Sequence, residues 1–79
     1  MDTTLKWTVH KLSPREHVCL RWAARGKTYA DIMVIEELGA ASVKTYLDTA
    51  RYKLNAVNLT QAVGIAVALG ILTMDDLTG

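Results

Sequence analysis

The sequence predicts an all-α fold, four short helices packed as a bundle, on three observations. Apolar residues recur at steps of three and four, the period of a helix surface. Three of the four apolar stripes open on a side-chain capping residue, and three close on Gly or Asn. The composition, 51% hydrophobic with two Trp and no Phe, is rich in Ala, Leu and Val and suits close helix packing. At 79 residues the chain makes one domain, with a core so small that packing must be efficient or a partner must help.

The first helix opens at Ser13-Pro14-Arg15-Glu16, where Ser13 caps, Pro14 suits the first helical position and Glu16 completes a capping box. Cys19, Leu20, Ala23 and Ala24 form its apolar stripe, and Gly26 ends it. The second starts at Thr28-Tyr29-Ala30-Asp31, again with capping-box spacing, and turns Ile32 and Ile35 inward before Glu36-Glu37. The third, about 40–54, repeats Val43, Leu47, Ala50 and Leu54 on one face and stops at Asn55. The fourth, about 59–69, is capped by Asn58, closed by Gly70, and apolar almost all round. A terminal helix of that kind calls for cover beyond its own small core. Residues 1–11 read as a linker, 12–72 as the domain, and 73–79 as a patternless tail.

Net charge is only +1, but residues 11–60 hold eight Lys/Arg against five Asp/Glu, a local excess of +3. Local excess is what phosphate binding needs. One cysteine excludes an internal disulfide and any Cys-based zinc cluster, and no metal site or cofactor is expected in this chain. With no secretory leader pattern, the expected compartment is the cytoplasm. The longest apolar run, 62–72, is about half of a membrane span and is broken by Gly64 and Gly70, so no membrane is expected. Gly26-Lys27-Thr28 mimics the end of a phosphate loop, but no strand precedes it and Arg21 stands where that motif starts with Gly. No nucleophile–base set and no enclosed carboxylate pair emerge, so no enzyme is expected; His10 and His17 read as surface residues and Cys19 as an inert core thiol.

Two helices joined by a short turn, the second longer and more basic, match a helix-turn-helix that lays its second helix in the DNA major groove. With Val43 set inward, Ala41, Lys44, Thr45, Asp48 and Tyr52 fall on the far side of the third helix. The first half of that face is slim, as close approach to base edges requires. On that face Lys44 can donate to guanine O6/N7, Asp48 can accept from cytosine N4, and Thr45 can offer a methyl to thymine. Thr28, Tyr29, Tyr46, Arg51 and Lys53 are the candidate phosphate contacts, Thr28 and Tyr29 at a helix N-terminus. The competing reading is a merely solvated amphipathic face. Trp22, beside the stripe of the first helix, either covers the core edge or offers a docking surface to a sensor domain.

From Leu12 to Leu72 the chain also resembles the LuxR-type (GerE-type) DNA-binding domain. The resemblance runs without gaps through Leu12-Ser13-Pro14-Arg15-Glu16, Leu20-Arg21, Gly26-Lys27-Thr28, Ile32, Ser42-Val43-Lys44, Leu47, Lys53-Leu54, Asn58, Thr60-Gln61-Ala62-Val63 and Leu69-Gly70-Ile71-Leu72. The stretch Leu20-Arg21-Trp22-Ala23-Ala24-Arg25-Gly26-Lys27-Thr28 is most similar to the quorum-sensing branch. The resemblance implies a four-helix domain whose third helix reads DNA through Lys44, Thr45 and Asp48. It implies a homodimer through the fourth helix, at Val63, Ile65, Ala66, Val67 and Leu69, on an inverted-repeat operator. It also implies RNA polymerase as a partner and an acyl-homoserine lactone held by an N-terminal domain outside this chain.

Three departures stand out. Glu36-Glu37-Leu38 replaces the family's Leu-Gly-Ile in the turn, which places a non-glycine residue where positive φ is expected. Gly39 replaces the Ser/Thr cap of the third helix, and Leu59 replaces an Arg that follows Asn58. Two other identities remain open on the residues alone: region 4 of a sigma factor, which opens with a similar phrase, and a helical interaction module that no longer binds DNA.

Overall fold

The computed structural model describes residues 11–78; the expected linker up to residue 10, with His10, lies outside the described residues. Among the described residues there are five helices: α1 (Pro14–Ala24), α2 (Tyr29–Glu36), α3 (Ala40–Lys53), α4 (Leu59–Ala68) and α5 (Met74–Thr78). The first four are the expected ones, each within a residue or two of its expected bounds.

The capping residues act as their spacing requires. Ser13 Oγ accepts from the Glu16 N–H (3.2 Å) while Glu16 Oε1 accepts from the Ser13 N–H (2.9 Å). Thr28 and Asp31 make the same reciprocal pair at 3.1 and 2.9 Å, and Asn58 Oδ1 accepts from the Gln61 N–H at 2.8 Å. Each cap satisfies backbone N–H groups that the first helical turn leaves without partners. α3 starts on Gly39 with no side-chain cap. Gly26-Lys27-Thr28 thus belongs to a helix end and a helix start, with nothing of a phosphate loop about it.

Helices α1 to α4 end alike. In each, a residue with positive φ follows the last turn, and the next N–H reaches back five residues: Lys27 to Trp22 O, Leu38 to Met33 O, Ala56 to Arg51 O and Ile71 to Ala66 O. The left-handed residues are Gly26, Glu37, Asn55 and Gly70. Gly and Asn suit that conformation, whereas Glu37, at φ 54° and ψ 49°, holds it against the clash of its own Cβ. Glu37 takes the left-handed conformation of the turn despite the missing glycine. Glu37→Gly is therefore expected to stabilise the domain by about 0.5–1 kcal/mol, the strain relieved less the entropy added to the unfolded chain. Thermal melting should show a rise of about 3–6 °C.

The core forms two adjoining clusters. Cys19, Ile32, Val43 and Leu47 join α1, α2 and α3; Leu20, Leu54, Ala56, Ala62, Ala66 and Leu72 join α1, the end of α3, α4 and the segment after it. Half-buried Leu59 packs against both. The seam of α3, Val43, Leu47, Ala50 and Leu54, is buried along its whole length. The α1 stripe is buried at Cys19 and Leu20 and half-buried at Ala23 and Ala24. Burial, with the nearby Glu36 carboxylate adding to it, pushes the Cys19 thiol above its ordinary range, as an unreactive core thiol requires.

Four expectations are corrected. Ile35 is 42% exposed, because a helix as short as α2 fills its inner face with Ile32 and half-buried Met33 while Leu38 packs in from the turn. The segment after 72 carries α5, at whose start the Thr73 N–H and Oγ1 donate to Asp76 Oδ2 at 2.8 and 3.2 Å. α5 is held on α1 by Arg25, whose Nε donates to the Asp76 carbonyl at 2.6 Å. His17 is half-buried, with Nε2 donating to the Ile71 carbonyl at 3.0 Å. Glu36 does not sit in a turn: it ends α2 and accepts the Trp22 indole N–H at 2.7 Å. Trp22 packs against the α1–α2–α3 cluster, with the Arg25 and Arg21 guanidiniums 5.0 and 5.7 Å from its ring centroid. It covers the core edge, the plainer of its two readings.

Candidate nucleic-acid interface

The outer face of α3 is built by what its inner face buries. With Val43, Leu47 and Ala50 locked into the core, Ala40, Ala41, Lys44 and Thr45 are exposed and Asp48 is half-exposed. No side chain longer than Ala or Ser stands on the first turn, Ala40 to Ser42. Ala41, Ser42, Thr45 and Tyr46 line a shallow depression of about 240 Å³ on this surface. Ser42 was not singled out from the sequence; its position three residues before Thr45 is the signal that places it there.

Lys44 and Asp48, one turn apart, form an ion pair with Nζ 2.7 Å from Oδ2, their side chains 66% and 45% exposed. The hydrogen bond with Asp48 raises the Lys44 pKa, and the one from Lys44 lowers that of Asp48, so both stay charged at neutral pH. Tyr29, at the start of α2, and Arg51 lie close enough to act on the charge of Lys44, and Arg51 also acts on Asp48. The structure thus brings Tyr29, Lys44, Asp48 and Arg51 to one side of the domain. Thr28 and Tyr29 are exposed at the α2 N-terminus, where the capping pair uses the Thr28 and Asp31 N–H groups and leaves those of Tyr29 and Ala30, with the helix dipole, to face an anion.

Other expected contacts have work elsewhere. Lys53 Nζ pairs with Glu16 Oε1 at 2.8 Å and donates to the Lys11 carbonyl at 3.2 Å, joining the end of α3 to the start of α1. Burial alone would raise the Glu16 pKa, but the Lys53 ammonium and the Ser13 N–H outweigh it and hold the carboxyl below its ordinary value. In that pair Lys53 keeps 24% of its side chain exposed. Tyr46 is half-buried against the Cys19–Ile32–Val43–Leu47 cluster and presents only part of its ring to the depression. Arg51 Nη1 donates to the Ala56 carbonyl at 3.1 Å, which fixes the guanidinium beside the turn after α3.

The α4 surface also differs from expectation. Ala66 is completely buried in the protomer core, and Val63 and Ile65 are half-buried against it, so Ala66 presents nothing to a second copy. The outward face is Thr60, Gly64, Val67 and Ala68, continued by Leu69, with Val67 40% and Leu69 53% exposed. A Cβ added at Gly64 would meet no atom within 4 Å, so nothing in the protomer requires a glycine in mid-helix there.

Among the described residues no helix is long and apolar enough to cross a membrane. The family model described as bacterial regulatory proteins, luxR family, matches residues 10–66. The HTH-type quorum sensing-dependent transcriptional regulator VjbR of Brucella abortus is 49% identical over 65 residues, 82% of this chain and 25% of VjbR. The HTH-type quorum sensing-dependent transcriptional regulator RpaR of Rhodopseudomonas palustris is 43% identical over 65 residues, 82% of this chain and 27% of RpaR. The transcriptional activator protein EsaR of Pantoea stewartii is 37% identical over 60 residues, 76% of this chain and 24% of EsaR. The chain spans about a quarter of the length of these relatives. The matched segment holds α2, the Glu37 turn and α3 with its slim outer face, and the chain belongs to the luxR family as a helix-turn-helix DNA-binding domain of transcriptional regulators, not an enzyme.

Proposed function

We propose that this domain is the DNA-reading end of a quorum-sensing transcription regulator, and that it works as a pair. Two copies meet along α4 and lay their α3 helices in successive major grooves of an inverted repeat. Lys44, Thr45 and Asp48 read bases, while Thr28, Tyr29 and Arg51 hold phosphates. The observation that carries this is the exposed, slim first half of α3 beside the exposed start of α2. An acyl-homoserine lactone acts on a domain outside this chain, RNA polymerase is the protein partner at the promoter, and the site of action is the bacterial nucleoid in the cytoplasm.

Gly64 supports the pairing. Glycine in mid-helix destabilises by about 1 kcal/mol relative to Ala, and close approach by a second helix is a use for it. Gly64→Gln is expected to raise the melting temperature of the dilute monomer by several degrees while weakening binding to a two-half-site duplex toward single-half-site affinity. Melting and fluorescence anisotropy on one- and two-half-site duplexes measure the two effects. Unchanged preference for two half-sites would remove this face of α4 from the pairing.

A further inference from the structure

The outer face of α3 has to approach a polyanion, yet its first two turns carry no net charge. Between Ala40 and Asp48 the only charged residues are Lys44 and Asp48, and they are bonded to each other at 2.7 Å. The pair stands in solvent and joins two residues of one helix, so the packing of the domain does not depend on it. Exposed pairs of this kind contribute little to stability. Its place on the groove-facing surface is the informative feature.

We propose that Asp48 is a specificity-determining residue that holds Lys44 back from DNA at sites lacking a guanine and a cytosine in reach of the pair. This rests on the reading of α3 as the groove-inserted helix. Lys44 and Asp48 lie about 6 Å apart along the helix axis, so the two bases fall within about two base-pair steps of each other. Where both are present, guanine O6 and N7 take the Lys44 donors and the cytosine N4 amino group replaces Lys44 on the Asp48 carboxylate. Every polar group then keeps a partner. At other sequences, parting the pair leaves a carboxylate facing bases and phosphates with no donor, and a desolvated charge without a partner is strongly unfavourable. Keeping the pair closed leaves Lys44 with little to give a phosphate. Either way non-cognate DNA is held weakly, and discrimination comes from a repulsive group as well as an attractive one.

The test compares the unsubstituted chain with Asp48→Asn, Asp48→Ala and Lys44→Ala. Each is titrated by fluorescence anisotropy against a duplex selected from random DNA by the unsubstituted chain, and against a scrambled duplex of equal length, at several salt concentrations. Melting curves check that the exposed substitutions leave the fold intact. Both Asp48 variants are expected to bind the scrambled duplex about tenfold more tightly, with a salt slope steeper by about one, as one freed cation requires. Their ratio of selected to scrambled affinity should fall by about tenfold or more. If Lys44→Ala weakens the selected duplex but the Asp48 variants leave scrambled binding unchanged or weaker, the restraining role is overturned and the groove-reading role of α3 stands. If neither position affects either duplex, the groove reading itself falls, and this inference with it.

Discussion

Lys44→Ala is expected to weaken binding to the selected operator about tenfold to a hundredfold per half-site, and by the square of that factor when two copies bind together. The loss has two parts. The substitution removes the donor that meets guanine O6 and N7, and it leaves Asp48 facing the groove without the ammonium that sits 2.7 Å from it. The form of the loss is as informative as its size. A base contact relaxes the preference at one position of each half-site, whereas a phosphate contact weakens all sequences alike and lowers the salt slope by about one. Anisotropy titrations against single-base variants of the operator at two salt concentrations separate these outcomes. An operator affinity that Lys44→Ala leaves unchanged would remove this residue from the reading face.

Leu47→Ala carries the second large effect, on the fold. Leu47 is 1% exposed and packs in the cluster where α1, α2 and α3 meet, so truncation leaves a cavity bounded by Cys19, Ile32 and Val43. Buried Leu to Ala substitutions destabilise by about 2–5 kcal/mol. A single small core rarely supplies more than about 3–5 kcal/mol, so the variant should be largely unfolded at 25 °C. Far-ultraviolet circular dichroism would show the lost helix signal. Tyr52→Ala on the same helix, at a residue 75% exposed, should melt within a few degrees of the unsubstituted domain. Loss of helix in both, or in neither, would contradict the assignment of inner and outer faces on α3.

The helices were legible in the sequence wherever a local signal was strong. Ser13, Thr28 and Asn58 cap because their side-chain oxygens reach N–H groups three residues ahead, an interaction confined to adjacent residues. Val43, Leu47, Ala50 and Leu54 fix the core side of α3, and the exposed face follows from them by rotation alone. The resemblance to the family added the register and the positive φ at Glu37, which no property of a glutamate announces. α5 was missed because a five-residue helix has too few positions for a period to show, although Thr73 and Asp76 repeat the capping spacing seen at Thr28 and Asp31.

The site was legible in part, because contacts between distant residues have no sequence signature. Lys53 looked like a free cation on α3 until folding set it 2.8 Å from Glu16, 37 residues away. Ala66 sat on an apparently all-apolar helix, and only packing against Leu20, Leu54 and Leu72 shows which of its sides is inside. Trp22 and Glu36 meet across α1 and α2 through an indole hydrogen bond that neither residue predicts alone. The Lys44–Asp48 pair, by contrast, is an i,i+4 contact on one helix and could have been read from spacing.

We propose that the outer face of α3, with the start of α2 beside it, lies against DNA. The most direct measurement is backbone amide chemical-shift mapping of the labelled domain as a duplex selected from random DNA is added. The largest changes are expected at residues 28–30 and 40–48, with Val34 and Ile35 on the far part of α2 little affected. Changes concentrated on the exposed end of α2 or on α1, with residues 40–48 unmoved, would contradict it.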